Sequence, residues 1–201
     1  MDYQLEQLIN GPAGHLPLFD TAMVALAAWS EPVFIMVVAG WFLIGLLSGR
    51  RAERDAALVA LLAAAVALIA NQILGHVWDR PRPFAAHPAQ VHLLLPHAAD
   101  SSFPSDHAAA AFAIAMVLTA AHRRLGVLLL LVAALVAFAR VYVGDHYPTD
   151  VLVGTAVGVA AGMALLRFAW PGAVMARVIA AILVLLRLQP RATDERSRPS
   201  S

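Results

Sequence analysis

The sequence predicts an all-α protein, an integral-membrane helical bundle of about six transmembrane helices with an N-terminal interfacial helix. Composition is the first reason: of 201 residues, 61% are hydrophobic and only 13% charged, a balance far from that of water-soluble domains. The second is that apolar runs recur along almost the whole chain, with the polar residues crowded between them. No internal repeat or low-complexity linker separates the runs, so they belong to one domain.

Taken in order, the N-terminus MDYQLEQLIN is acidic and lacks a basic region before its first apolar stretch, so that stretch is expected to stay in the mature protein. Residues 16–29 are apolar but are interrupted by Asp20 and closed by Glu31-Pro32, which predicts a helix lying at the interface within an N-terminal segment 1–30. A membrane domain, 31–188, follows with six runs at 32–47, 56–77, 108–121, 125–139, 151–166 and 173–186. Several fall short of the ~20 residues that cross hydrocarbon, but each short run continues into a polar motif or an arginine suited to the interface. Gly154, Gly158 and Gly162 recur every four residues in the fifth run and predict a closely packed neighbouring helix. Residues 189–201 form a polar tail expected to be disordered.

All 14 basic residues are arginine, and 13 acids nearly cancel them; no nucleic-acid partner is expected. The absence of cysteine excludes disulfides, thiolate nucleophiles and Cys-based metal sites. Orientation follows from the arginines that carry no accompanying chemistry: Arg50, Arg51, Arg54, Arg123, Arg124 and Arg167 mark cytoplasmic turns by the positive-inside rule. The loop 79–104 and the turn 143–149 then share the extracytoplasmic face. Arg187, Arg191, Arg196 and Arg198 would break that rule if the last run spans, and Arg177 offers a surface helix instead; both readings stay open.

Three polar clusters gather on the predicted outer face: DRPRPF (Asp79 to Phe84), FPSDH (Phe103 to His107) and ARVYVGDHYPTD (Ala139 to Asp150). His76, His87, His92, His97, His107 and His146 fall there too, and ionisable groups concentrated at membrane depth point to a functional site. Arg82 and Arg140 offer always-charged forks suited to phosphate or carboxylate oxygens. Ser105 after Pro104 reads as a helix N-cap, aiming the first free N–H groups at whatever the arginines hold. His107 lies in that first turn. Pro148 begins another helix and places Asp150 four residues after His146, where the carboxylate can hold one ring nitrogen and leave the other as nucleophile or base. For His87, His92, His97 and His122 plain solvation is the expected role.

Together these motifs resemble the type 2 phosphatidic acid phosphatase superfamily, whose signature KxxxxxxRP, PSGH, SRxxxxxHxxxD is matched by GHVWDRPRP, PSDH and ARVYVGDHYPTD in the same order. The resemblance implies that His146 attacks phosphorus, Asp150 orients it and His107 protonates the leaving oxygen. Arg82, Arg140 and Ser105 would bind the phosphoryl oxygens, with neither cofactor nor metal. The family Lys falls on Gly75, and Arg80 or His76 is expected to supply part of its charge. The family Ser before the arginine is Ala139. Asp106, His76 and Gly144 are expected to support the site from its surroundings. Asp106 in place of the family Gly, with SFPSDHA and RPRPF, resembles the bacterial subgroup that hydrolyses undecaprenyl diphosphate in the plasma membrane. That resemblance implies a polyprenyl diphosphate substrate drawn from among membrane lipids, a part in peptidoglycan synthesis, and bacitracin resistance. The alternatives are a broader lipid phosphatase and a non-enzymatic carrier holding the head group through Arg82 and Arg140.

Overall fold

The structure, a computed structural model, describes residues 1–169 and residue 181. Its helices are α1 (Asp2–Asn10), α2 (Pro17–Leu47), α3 (Arg51–Val77), α4 (Pro83–Ala86), α5 (Asp106–Ala121), α6 (Arg123–Tyr142) and α7 (Pro148–Ala169). Among the described residues α2, α3, α6 and α7 are long and apolar enough to cross a membrane, and α5 is a shorter apolar helix. The expected membrane bundle is therefore what the chain forms. The run 173–186 and the tail 189–201 lie outside the described residues.

One element differs from expectation. Residues 16–29 do not form a separate interfacial helix; they are the first half of α2, which runs unbroken through Pro32. A proline inside a helix removes one backbone bond, and in membrane helices nearby hydroxyls often take up part of that defect. Pro32 frees the Ala28 carbonyl; beside it, the Ser30 hydroxyl donates to the Ala27 carbonyl at 3.1 Å. The 31 residues of α2 extend to about 46 Å at 1.5 Å per residue, longer than the hydrocarbon. Its start reaches the level of the C-terminal end of α6, where the Tyr142 hydroxyl donates to Asp20 at 2.6 Å. The short surface helix of the N-terminus is instead α1, which packs against α6 and α7.

The central helix is α5, in contact with α2, α3, α6 and α7. Small side chains permit this: Ala57, Ala60, Ala63 and Ala67 of α3 and Ala109 and Ala113 of α5 are fully buried in one cluster. On α7, a Cβ added at Gly154 would lie 2.4 Å from the Ser105 carbonyl oxygen, and one at Gly158 would lie 2.2 Å from that of Ala109. The glycine stripe thus fixes how α7 lies against α5, as its spacing predicts. At 16 residues, α5 is only about 24 Å long. Its N-terminus is therefore sunk below the ends of its neighbours, and a polar recess opens above it.

Candidate active site

Two devices set the recess. The turn between α6 and α7 carries Gly144 at φ +84°, a backbone region that favours glycine, and the Asp145 and His146 N–H groups both donate back to the Arg140 carbonyl at 3.2 Å. In the loop before α5, Pro81 pairs with Ser101 in a single antiparallel bridge, with Arg82 on the recess side of it and Arg80 on the far side. The Ser105 N–H donates to the Asp150 carbonyl at 3.1 Å, locking the starts of α5 and α7 together.

A cavity of about 580 Å³ results, lined by Arg82, His107, Arg140 and His146 and, on its far wall, by Asn71, Gln72, His76 and Asp79. His146 is 2% exposed. Its Nδ1 lies 2.8 Å from the Ser102 carbonyl oxygen; a carbonyl only accepts, so Nδ1 carries the proton and Nε2 keeps its lone pair. That lone pair points towards Arg82, whose Nη1 is 3.4 Å away. Burial holds the imidazole pKa below its ordinary value, outweighing the pull of Asp150 and Asp145, so the ring is neutral at physiological pH.

Asp150 does not make the direct hydrogen bond to His146 that its spacing suggests. Its Oδ2 is 3.8 Å from Nδ1 and instead accepts from the Tyr147 N–H at 2.8 Å. The reason is local: His146 precedes the helix, and an acid in the first turn of α7 closes back on the N-cap amide, as in a capping box. The other oxygen, Oδ1, accepts from Arg80 Nη1 at 2.8 Å. Arg80 faces away from the cavity. It also donates to Thr149 Oγ1 at 2.8 Å and Asp2 Oδ2 at 2.7 Å and lies 3.6 Å over the Tyr147 ring. Burial alone would raise the Asp2 pKa, but hydrogen bonds from Thr149 and Arg80 hold it below its ordinary value.

Arg82 and Arg140 converge as expected, but on a carboxylate that no motif position specifies. Asp145, 1% exposed, accepts from Arg82 Nη1 at 2.9 Å and from Arg140 Nη2. Arg82 Nε donates to Asp100 at 2.7 Å. Three buried polar atoms beside this cluster have no protein partner: Arg140 Nε, Ser105 Oγ and Ser102 Oγ. Ser105 does stand at the N-cap of α5, yet its hydroxyl caps nothing. Asp106 accepts from Asn71 at 2.9 Å and Gln72 at 3.3 Å, tying α5 to α3. His76 lines the cavity with Nδ1 2.7 Å from the Gln72 carbonyl oxygen. A side chain at Gly75, the family Lys position, would start 2.9 Å from the Phe103 carbonyl oxygen, so the loop leaves no room for one.

Of the histidines set aside, His87 stacks on Tyr3 and His122 caps α6 by accepting from the Leu125 N–H. His92 lies 2.6 Å from the Ala13 carbonyl oxygen, while His97 reaches the cavity rim. A second, apolar cavity of about 470 Å³ is lined by Phe34, Ile35, Leu61, Leu68 and Ile114 and meets the first at Asp106 and His107. A polar recess thus adjoins an apolar groove. No cluster of three or more His, Asp or Glu among the described residues is arranged to hold a metal ion.

Residues 56–173 match the PAP2 superfamily. The chain is 35% identical over 169 residues to undecaprenyl-diphosphatase BcrC of Bacillus subtilis (strain 168), covering 84% of each chain. It is 30% identical over 159 residues to an undecaprenyl-diphosphatase of Sulfolobus acidocaldarius, covering 77% of this chain and 72% of that one. Among solved structures, it is similar to Aquifex aeolicus LpxE, with a TM-score of 0.69, 29% identity, and coverage of 83% of this chain and 95% of that chain.

Proposed function

The chain belongs to the PAP2 superfamily, and on that premise we propose that it removes the terminal phosphate of undecaprenyl diphosphate at the extracytoplasmic face of a bacterial plasma membrane. The observation that carries the reading is the lone pair of His146 Nε2, set in a polar cavity beside buried donors, Arg140 Nε and Ser105 Oγ, that have no partner in the protein. Unsatisfied buried donors call for an acceptor, and a phosphoryl group would supply one. The apolar cavity that joins it at His107 suits the prenyl chain.

In the first half-reaction the His146 Nε2 lone pair forms a bond to the terminal phosphorus as the bond to the bridging oxygen breaks. His107 gives its proton to that oxygen, so the lipid monophosphate leaves as a protonated species. Arg82, Arg140, Ser105 and the first N–H groups of α5 stabilise the three equatorial oxygens. Asp150, 3.8 Å from Nδ1, stabilises the charge that develops on the ring, while the Ser102 carbonyl fixes its tautomer. Water then attacks the phosphohistidine, giving its proton to His107, and inorganic phosphate and neutral His146 are regenerated.

Sidedness rests on the bundle's two ends. The turns bearing Arg50, Arg51, Arg54, Arg123 and Arg124 lie at the end opposite the cavity, which by the positive-inside rule faces the cytoplasm. Hydrolysis on the outer face would recycle a carrier lipid for peptidoglycan synthesis and give bacitracin tolerance.

The purified full-length protein should release inorganic phosphate from undecaprenyl diphosphate in the presence of EDTA, and acid-labile, base-stable phosphoenzyme should be trapped on rapid quenching. No phosphate release would leave the carrier reading; loss of turnover with EDTA, restored by Mg²⁺ alone, would overturn the metal-free mechanism. Faster release from phosphatidate than from the prenyl diphosphate would point to the broader phosphatase. For sidedness, Ala98→Cys should react with an impermeant thiol reagent in intact cells and Ala52→Cys should not.

A further inference from the structure

A phosphoryl group attacked by His146 Nε2 must lie within reach of that nitrogen while its oxygens meet Arg82 and Arg140. One group already meets those conditions. Asp145 Oδ2 is 3.8 Å from His146 Nε2 and accepts from Arg140 Nη2, and Oδ1 accepts from Arg82 Nη1 at 2.9 Å. Building on the phosphatase reading, we propose that the Asp145 carboxylate is a resident anion of the phosphate cradle, which holds Arg82 and Arg140 in place between turnovers, exchanges with the phosphoryl group, and so sets how tightly inorganic phosphate is retained.

Charge balance supports exchange over coexistence. Two guanidinium groups face two carboxylates, Asp145 and Asp100, so the unliganded cluster is neutral with His146 uncharged. A phosphate dianion entering beside an unmoved Asp145 would leave two uncompensated negative charges in a buried place, which is strongly unfavourable. The cluster is also short of acceptors, since Arg140 Nε and Ser105 Oγ are unpaired. A purely structural ion cluster would be expected to satisfy such neighbours. The carboxylate has a second neighbour on the rim side: His97 Nδ1, 3.1 Å from the Ala98 carbonyl oxygen and 3.7 Å from Asp100 Oδ1, is 3.8 Å from Asp145 Oδ1.

The test is equilibrium binding of radiolabelled inorganic phosphate to the full-length protein in detergent, alongside product inhibition of turnover. Asp145→Asn removes the competing charge but keeps the shape. It should bind phosphate at least about tenfold more tightly, the size expected for losing one like charge at this distance, with KM and kcat both lowered as product release slows. His97→Ala, at the rim and tolerable to the fold, removes that second neighbour and should weaken phosphate binding about threefold or more. In the Asp145→Asn background the same change should have no effect, which separates a relay through Asp145 from direct contact of His97 with phosphate. Unchanged or weaker phosphate binding in a folded Asp145→Asn protein would make the carboxylate a fixed strut and overturn the proposal. If Asp145→Asn does not fold, unchanged binding in His97→Ala overturns it equally. Because binding is read without turnover, failure of the phosphatase reading appears separately, as phosphate binding without release of phosphate from lipid.

Discussion

Two carboxylate–guanidinium clusters flank His146 and differ in how completely their donors are used. Behind the ring, Arg80 is shared among Thr149, Asp150 and Asp2 and covered by Tyr147. In front, Arg82 and Arg140 share Asp145, while Arg140 Nε and Ser105 Oγ remain without partners. Arg80 and Arg82 are two residues apart in one motif, yet one is saturated by the fold and the other faces a cavity. The comparison teaches that residue type and motif do not by themselves separate a scaffold from a binding surface; the unspent hydrogen-bonding capacity around it does.

The sharpest way to break the comparison is to remove groups from the front and from the rear and compare the losses. His146→Ala should abolish turnover together with the trapped phosphoenzyme, because no other group in the site can accept the phosphoryl. Arg140→Lys should follow, with kcat lowered ~10²- to 10³-fold, the usual loss when one preorganised donor to a developing charge is removed. His107→Ala should lose ~10² to 10⁴ on a lipid monophosphate, where an alkoxide leaves badly, and less on the diphosphate, whose leaving group is better. Steady-state rates on both substrates check this ordering. Equal losses for His107→Ala on the two substrates would remove its assignment as the acid.

The rear cluster should be gentler. Asp2→Asn breaks the link from α1 through Arg80 to Asp150 without touching the cavity, so kcat should fall only about tenfold or less with KM nearly unchanged, while the thermal midpoint drops by a few degrees. A loss as large as that of Arg140→Lys would mean that the two clusters are not distinct in function.

These contrasts also show what could be read from the sequence and what could not. The apolar runs and the glycine stripe were legible because hydrocarbon thickness and close helix packing impose simple rules on composition and spacing. The meeting of Arg82, His107, Arg140 and His146 in one cavity was legible because the motifs lie at helix ends on one side of the bundle. The break expected at Glu31-Pro32 does not occur because one proline removes a single backbone bond, too little to end a long apolar helix. Arg80 is expected to supply part of the family Lys charge to the phosphate because local sequence cannot show that Asp2, 78 residues away, claims it. Asp145 went unnoticed for a similar reason: it stands at an unspecified motif position, and only the turn at Gly144 directs it between two arginines. Its adjacency to His146 was the one available signal.

Acidification should separate chemistry from stability. His146 has a folded pKa below its ordinary value, chiefly from burial, so its neutral form contributes stability that is present above the ordinary 6.5 and lost as pH falls through the folded value. The nucleophile should therefore remain competent below pH 6.5, and the acid limb of kcat/KM should lie lower than an ordinary histidine would place it. An acid limb centred at 6.5 that persists when the fold is stabilised would contradict this.

The smallest expected effect concerns Glu6, on α1 behind the rear cluster. It is fully buried and neither carboxyl oxygen has a partner; burial, and then the charge of Asp2, push its pKa up to about 7 from 4.5. A raised folded pKa means that the contribution of Glu6 to stability is full below about 4.5 and is lost as pH rises through about 7. Glu6→Gln removes the titration, so at pH 8 the variant should be more stable than the parent by on the order of 1–3 kcal/mol, the range for relieving an unsatisfied buried polar group. At pH 5 the two proteins should nearly coincide. Thermal unfolding in detergent at both pH values decides the matter: an offset of equal size at pH 5 and pH 8 would show that Glu6 does not titrate there. A gain confined to pH 8, with kcat unchanged, would show that α1 is held on the bundle by a neutral carboxyl whose ionisation works against the same docking that Asp2 and Arg80 secure.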